Sequence, residues 1–153
     1  MRKRVAVFFI FSAVAALAVA GSSALADGNG NWLAWGRTPD QLRHSPLTLI
    51  TPSNVDDLGR IANINFQAID AGVRRGEQSY PLVIGDRLYM TTNDGNVWAL
   101  NATTGQVIWR YKPDNVAVFR NFGIVANRGV ALCDGHVFVL TLDMTIASLD
   151  PAT

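Results

Sequence analysis

Few residues of the chain have types and spacing that could support chemistry, and the clearest is Arg128, between Asn127 and Gly129. These two neighbours are typical of a tight functional turn, and a planar guanidinium binds a carboxylate through two parallel hydrogen bonds. The alternative interpretation is an ordinary surface arginine in a loop. His44 and His136 lack metal-site spacing, and the sequence has no Ser/His/Asp arrangement or phosphate-binding glycine loop. These residues by themselves assign no reaction.

The elements that must position this arginine are short strands. From residue 61 onward, short apolar runs alternate with turn pairs such as Gly85-Asp86 and Asp94-Gly95. Such pairs connect neighbouring antiparallel strands, and no segment there has the pattern of a ten-residue helix. The sequence therefore predicts an all-β antiparallel meander.

The strand pattern repeats after 49 residues. Residues 88–92 align with residues 137–141, and the register continues without a gap to residue 153. A period near 50 residues, made of about four short strands, is typical of a β-propeller blade. Two blades cannot close a ring or bury their faces. We therefore expect a partial β-propeller, the amino-terminal piece of a longer protein.

Residues 99–109 of the first repeat form a motif with a structural interpretation. Ala99 is small and Gly105 has no side chain, so a neighbouring indole could lie flat against the backbone there. Trp109 supplies a large apolar ring whose one N–H needs a partner. We expect both Trp109 and Trp98 to be structural residues that help to hold adjacent blades together.

The chain before the repeats divides into a leader and an irregular segment. Residues 32–50 are aromatic and polar without a period, so they should wrap over a surface. Residues 51–54 begin a short helical turn that Ser53 or Asn54 could cap, and Asp56 and Asp57 suit its positive end.

Residues 1–26 have the pattern of a secretory signal peptide. Basic residues at positions 2–4 precede an uncharged run over residues 5–20, and Ala24-Leu25-Ala26 places the cleavage site before Asp27. The alternative is an uncleaved membrane anchor, but the run is short for a span of about 20 residues. A lipoprotein is excluded because no cysteine lies near the site. The mature chain, residues 27–153, is expected in a bacterial periplasm, with no stable membrane span after cleavage.

Charge and cysteine content exclude other classes. Three of the 13 basic residues lie at positions 2–4, so the rest of the chain has 12 acidic against 10 basic residues. That balance argues against nucleic-acid binding, which requires a basic patch. The only cysteine is Cys133, so no internal disulfide or cysteine-based zinc cluster can form.

Three segments together carry a resemblance to a known family. They are an opening segment with Trp35-Gly36-Arg37, Arg43-His44-Ser45-Pro46-Leu47 and Asn54-Val55-Asp56-Asp57-Leu58, the tryptophan-docking motif over residues 99–109, and Asn127-Arg128-Gly129-Val130-Ala131-Leu132. Over nearly all of residues 32–153 the chain resembles the pyrroloquinoline quinone (PQQ)-dependent alcohol dehydrogenases, the methanol dehydrogenase-like quinoproteins. The resemblance implies that residues 27–153 are the first part of an eight-bladed propeller.

The resemblance also implies two cofactor-binding residues. Arg128 matches the family's arginine that contacts PQQ, a planar o-quinone with three carboxylates. Gln78 stands where the family has a glutamate, three residues before Pro81, and its amide can donate a hydrogen bond to a carboxylate without like-charge repulsion. Glu77 is the competing assignment, but strand alternation would direct it to the opposite face.

The chain departs from the family at its adjacent cysteines, which form a disulfide ring against the cofactor. The matching positions are Phe122 and Gly123, so that disulfide cannot form. Cys133 falls at an apolar position of the repeat, and we expect it to be a small buried hydrophobic residue.

By resemblance, the full protein would be a periplasmic dehydrogenase that oxidises an alcohol or a related substrate. It would use PQQ with Ca²⁺ or a lanthanide and pass electrons to a cytochrome c. The metal ligands and the catalytic aspartate would lie in later blades. The alternatives are a non-catalytic propeller scaffold of the cell envelope, related to outer-membrane assembly factors, and a degenerate quinoprotein without cofactor.

Overall fold

Two antiparallel sheets form the fold in this computed structural model, which describes residues 30–73, 77–113 and 126–153. Sheet 1 contains four strands in sequential order: β1 (Leu82–Ile84), β2 (Arg87–Thr91), β3 (Val97–Asn101) and β4 (Val107–Tyr111). Sheet 2 contains three: β5 (Ala131–Cys133), β6 (His136–Leu140) and β7 (Ile146–Leu149). Each strand pairs with the next along the chain, so both sheets are meanders. The all-β prediction is confirmed.

The 49-residue repeat is also present in the strands. β5, β6 and β7 begin 49 residues after β1, β2 and β3 respectively. The tight turn Gly85-Asp86 between β1 and β2 corresponds to Asp134-Gly135 between β5 and β6, and both glycines have positive φ. Sheet 2 therefore repeats sheet 1 strand for strand as far as β7, as expected for successive blades.

The main core lies between the two sheets. Its buried residues are Tyr89, Val97 and Ala99 from sheet 1 and Val137 and Val139 from sheet 2. They alternate along their strands, as expected where one face of each sheet packs against the other. This core fixes the relative position of the two sheets and of the loops that precede them.

A second cluster covers the opposite face of sheet 1. Trp98 and Leu100 pack with Val73, and Ile64 and Phe66 lie against them. Because sheet 1 is covered on both faces, all of Val97–Leu100 is buried. The prediction that Trp98 is structural agrees with its burial.

The chain before sheet 1 contains little regular structure. Trp32 forms a two-way backbone bridge with Val83, at N–O distances of 2.8 and 2.9 Å, and residues 33–50 then run over the surface without a strand or helix, as predicted. The four-residue helix α1 (Phe66–Ile69) follows, and the Asn65 side chain accepts a hydrogen bond from the Ala68 N–H.

The predicted helical turn after residue 51 is present as a 3-10 turn over Val55–Asp57. Its predicted capping contact is wrong. The Asn54 side chain accepts from the N–H of Thr51, 2.7 Å away, and makes no cap bond to the turn that follows. An asparagine can bond backward to the chain as readily as forward, so residue type alone did not decide its partner.

The predicted signal peptide, residues 1–26, lies outside the residues that the structure describes. Within residues 30–73, 77–113 and 126–153, no helix has the length and apolar character needed to cross a membrane.

Candidate cofactor-binding site

The segments that carry Gln78 and Arg128 meet at one end of the two sheets. Gln78 precedes β1 and Arg128 precedes β5, and the backbone N–H of Tyr80 donates to the Arg128 carbonyl at 3.2 Å. Gly129 has a φ of 123°, and a Cβ built on it would lie 3.0 Å from the Tyr80 carbonyl oxygen. Glycine is therefore required for this close approach. The structure brings the two predicted segments together.

Thr91, the last residue of β2, joins both segments. Its backbone N–H donates to Ser79 Oγ at 2.9 Å, and its hydroxyl donates to Asn127 Oδ1, also at 2.9 Å. Thr91 is fully buried. The end of one core strand thus holds the chain on either side of the candidate site.

Asn127 makes the turn around Arg128 rigid. Its side chain is 7% exposed, and its Oδ1 also accepts from the Gly129 N–H at 3.0 Å. Its Nδ2 donates to the Leu140 carbonyl at 3.0 Å. The tight turn predicted from Asn127-Arg128-Gly129 is therefore present, with asparagine bonded to the residue two positions ahead.

Arg128 itself is exposed and lines a cavity of about 300 Å³ together with Leu142 and Met144. Among the described residues, its guanidinium forms no hydrogen bond or ion pair with another side chain. Gln78 is also exposed, and its amide has no partner within the same part of the chain. One cation and one amide thus lie on adjoining segments, although Gln78 is not among the residues that line the cavity of Arg128. Both types of donor bind carboxylates, such as those of PQQ.

Glu77, the competing assignment to Gln78, lies against the turn between β2 and β3. Partial burial raises the pKa of its carboxyl, the Asn93 backbone N–H lowers that pKa, and the nearby Asp94 charge raises it. The alternation argument against Glu77 is wrong, because β1 begins only at Leu82 and residues 77–80 are not in a strand. Glu77 differs from Gln78 because its carboxyl lies beside the turn that contains Asn93 and Asp94.

Sequence reasoning missed a buried polar network in that turn. Thr92 Oγ1 donates to Asp94 Oδ1 at 2.6 Å, Asn96 Nδ2 donates to Asp94 Oδ2 at 3.2 Å, and Trp98 Nε1 donates to Thr92 Oγ1 at 3.3 Å. All four side chains are buried. The signal for it was in the repeat, since Thr141 also donates to the carboxylate of Asp143, 49 residues later.

Two cysteine predictions have different outcomes. Phe122 and Gly123, which replace the family's adjacent cysteines, lie outside the described residues. Cys133 is exposed, so the prediction of a buried residue is wrong. It ends β5, where only the central Leu132 packs against the core, and its equivalent Ile84 is also exposed.

Metal-binding groups do not cluster in the part of the chain described. No three His, Cys, Asp or Glu side chains among these residues lie close enough together to hold an ion. Both histidines, His44 and His136, are exposed.

Comparison with known proteins adds to this geometry. Residues 32–153 match the family described as "PQQ: Glucose/ethanol/alcohol dehydrogenase, beta-propeller domain". The dehydrogenase subunit of the quinone alcohol dehydrogenase of Acetobacter aceti is 35% identical over 91% of this chain and 20% of its own length. The 1-butanol dehydrogenase (cytochrome c) of Thauera butanivorans is 33% identical over 81% of this chain and 18% of its own length.

Solved structures show the same relationship. The quinohaemoprotein alcohol dehydrogenase of Comamonas testosteroni superposes with a TM-score of 0.73 and 32% identity, over 85% of this chain and 19% of its own. A europium-containing methanol dehydrogenase superposes with a TM-score of 0.65 and 32% identity, over 81% and 22%.

The chain thus spans about a fifth of the length of the curated relatives it matches. Its two sheets correspond to two blades of a propeller. Two blades alone do not close a ring. The match over residues 32–153 shows that the chain belongs to the family of PQQ-dependent glucose, ethanol and alcohol dehydrogenases, as part of their β-propeller domain.

Proposed function

We propose that the full-length protein is a periplasmic PQQ-dependent dehydrogenase that oxidises an alcohol or a related substrate, and that this chain supplies part of its cofactor site. The observation that carries the proposal is the Asn127-Arg128-Gly129 turn. The turn lies at the junction of two propeller blades and presents an exposed guanidinium. Among the described residues, this guanidinium has no side-chain partner. Arginine is suited to this task because its planar fork matches a carboxylate.

The roles of the two site residues follow from their chemistry. Arg128 would bind a cofactor carboxylate through two N–H groups, and Gln78 would donate its amide N–H to another acceptor of the cofactor. PQQ, when bound, supplies the quinone that accepts the hydride from the substrate. The rigid turn around Arg128 would keep its guanidinium oriented before the cofactor arrives, which lowers the entropic cost of binding.

Glutamine at position 78 suits this arrangement electrostatically. A glutamate there would place a negative charge beside an anionic ligand unless it took up a proton. The neutral amide avoids that repulsion, and Glu77 is directed toward Asn93 and Asp94. Because the chain has no adjacent cysteines, binding would proceed without the disulfide ring of the methanol dehydrogenases.

The remaining groups of the reaction are proposed to lie outside this chain. We infer that Ca²⁺ or a lanthanide binds beside the cofactor, on ligands from later blades, and that a carboxylate there acts as the base. A structural relative contains europium by its name, which supports the metal. Another relative is named for cytochrome c, which supports a cytochrome c as electron acceptor.

The experiment is reconstitution of the full-length apo-protein with PQQ in the presence of the metal, followed by titration of absorbance. Arg128→Lys keeps the charge and loses the fork, so we expect it to weaken PQQ binding by about tenfold or more. Gln78→Glu should weaken binding less than Arg128→Lys, because it restores the family's residue. Arg60→Lys, at an exposed arginine away from the turn, is the matched control.

Each outcome decides between the alternatives. If Arg128→Lys binds PQQ like the parent and like Arg60→Lys, Arg128 is a turn residue and the site assignment is wrong. If the parent itself takes up no PQQ with metal present, the dehydrogenase proposal is wrong and a scaffold or a degenerate quinoprotein takes its place.

The periplasmic location is a separate proposal that rests on residues 1–26. Cleavage after Ala26 would give a mature protein beginning at Asp27. Amino-terminal sequencing of the protein recovered from the periplasm is expected to start at Asp27. An intact Met1 on a membrane-bound product would contradict both the cleavage and the location.

A further inference from the structure

We propose that Asn127 is a positioning residue, whose buried amide holds Arg128 and the Gln78 segment at the spacing that an anionic cofactor requires. The inference rests on the proposed function. It assigns that role to a side chain that is 7% exposed and whose amide oxygen and nitrogen both bond within the protein.

The first observation concerns the two hydrogen-bond partners of the Asn127 side chain that lie outside its own turn. It accepts from the hydroxyl of Thr91 and donates to the carbonyl of Leu140. Thr91 is the last residue of β2 and Leu140 is the last residue of β6, and they are separated by the 49-residue repeat. Asn127 therefore joins equivalent points of two successive blades.

The second observation is that both site segments depend on this joint. The third bond of Asn127, from the Gly129 N–H, closes the turn that contains Arg128. Thr91 in turn donates its backbone N–H to Ser79, next to Gln78. The Tyr80–Arg128 backbone bond then connects the two segments directly. A shift of Asn127 would alter the position of both.

The third observation is that three hydrogen bonds engage the buried amide. Oδ1 accepts two hydrogen bonds and Nδ2 donates one, in a side chain that is 7% exposed. A buried polar group that loses its partner carries the full desolvation cost. The geometry is thus held in one arrangement, and no isosteric side chain reproduces it, since aspartate has no N–H to donate to Leu140.

A double-mutant cycle distinguishes this role from a merely structural one. If Asn127 acts through Arg128, the losses in PQQ affinity caused by Asn127→Ala and Arg128→Lys must be non-additive, because a misplaced arginine has no fork contact left to lose. If Asn127 only stabilises the fold, the cost of Arg128→Lys is the same in both backgrounds. The unfolding temperature cannot make this distinction, but the coupling can.

The measurement is equilibrium binding of PQQ to the full-length apo-protein, with metal present, for the parent, both single variants and the double variant. We expect Asn127→Ala to raise the PQQ dissociation constant roughly tenfold. In the Asn127→Ala background, the loss of PQQ binding free energy caused by Arg128→Lys should be less than a third of the loss that it causes in the parent. Thermal unfolding is recorded for every variant.

The matched control is Asn101→Ala. The Asn101 side chain accepts from the N–H groups of Thr103 and Thr104 within a turn of sheet 1. Its loss removes a comparable set of hydrogen bonds without touching the joint between blades. It should lower the unfolding temperature and remain additive with Arg128→Lys.

A second variant covers the case in which Asn127→Ala does not fold. Thr91→Val keeps the side-chain shape and removes only the hydroxyl that donates to Asn127, and it should show the same coupling with Arg128→Lys. Additive effects in either cycle, or unchanged PQQ affinity in a folded variant, would overturn the inference while leaving the proposed function standing. A parent that binds no PQQ overturns both.

Discussion

The indole Nε1 of Trp109 donates to the backbone carbonyl of Pro151 at 2.9 Å. Trp109 lies in β4 of sheet 1, and Pro151 lies in the turn after β7 of sheet 2. Arg87 donates to the same carbonyl at 3.3 Å, and the ring of Tyr89 lies 5.9 Å from that of Trp109. The partner that the indole N–H was expected to need is thus supplied by the next repeat. Trp109 thus ties the two sheets, which no strand ladder connects among the described residues.

Removal of this bond should weaken the full-length protein. Trp109→Phe keeps an aromatic ring and loses the N–H, so we expect the free energy of unfolding to fall by about 1–2 kcal/mol. The control is Trp35→Phe, at a half-exposed indole whose N–H has no partner among the described residues. Chemical denaturation of both variants tests the prediction. Equal losses would mean that the Pro151 contact contributes nothing.

Gly105 and Gly135 offer a matched pair for steric crowding. Both have a φ of 73°, but a Cβ on Gly105 would lie 2.4 Å from the Ala62 methyl, whereas nothing lies within 4 Å at Gly135. Alanine at either position carries the cost of the left-handed conformation, about 1–2 kcal/mol. In Gly105→Ala the free energy of unfolding should fall by roughly a further 1–3 kcal/mol, because the backbone of residue 62 must move. Thermal unfolding of the two variants measures the difference, and similar losses would show that the crowding is relieved at no cost.

Met144 occupies a position that the first repeat gives to glycine. Its φ is 65°, and Gly95, 49 residues earlier, has a φ of 84°. We expect Met144→Gly to raise the free energy of unfolding by about 0.5–1 kcal/mol, because relief of the left-handed conformation exceeds the added freedom of the unfolded chain.

The control for Met144 is the loss of a glycine at the equivalent position of the first repeat, Gly95. Gly95→Ala should be destabilising, although its Cβ would have only ordinary contacts, the nearest at 3.6 Å to Pro113. Denaturation curves for both variants are compared at one pH. A loss of stability in Met144→Gly would show that the methionine side chain makes contacts worth more than its backbone costs.

Asp70 should make stability depend on pH. Its carboxylate accepts from the Gly72 N–H and forms ion pairs of 3.0 Å with both Arg110 and Lys112. The Gly72 hydrogen bond, followed by the one from Lys112, lowers the pKa of Asp70 below its ordinary value of 3.8. A lowered pKa in the folded state stabilises the protein above pH 3.8, and this contribution disappears as the pH falls through the folded value.

Asp70→Asn is accordingly expected to cost about 0.5–1 kcal/mol at pH 7, since both basic partners are partly exposed and screened. The difference from the parent should vanish well below pH 3.8. Asp57→Asn, at an exposed carboxylate without an ion pair in the described part of the chain, is the control for the change of side chain. Unfolding measured from pH 7 down to about pH 2 tests this, and a constant difference across that range would contradict the assignment.

Much of the fold could be predicted from local patterns. Glycine and aspartate at the turns, with apolar runs of a few residues between them, are sufficient to divide the chain into strands. The 49-residue period required a second copy of the same sheet, and the structure has it from β5 to β7. The tight turn at Asn127-Arg128-Gly129 could also be predicted, since an asparagine bonding two residues ahead and a glycine at positive φ are short-range effects.

The order of the short strands, their turns and the repeat thus follow from local patterns, because each depends on neighbouring residues and on composition. Which distant residues come into contact depends on the packing of the folded chain. The packing exposed Cys133, brought Ala62 against Gly105, directed Glu77 to the turn of Asn93 and buried Asn127 between two blades. These contacts join positions far apart along the chain, and they depend on how the two sheets pack. No local pattern specifies that packing, so the spacing of the candidate site became visible only in three dimensions.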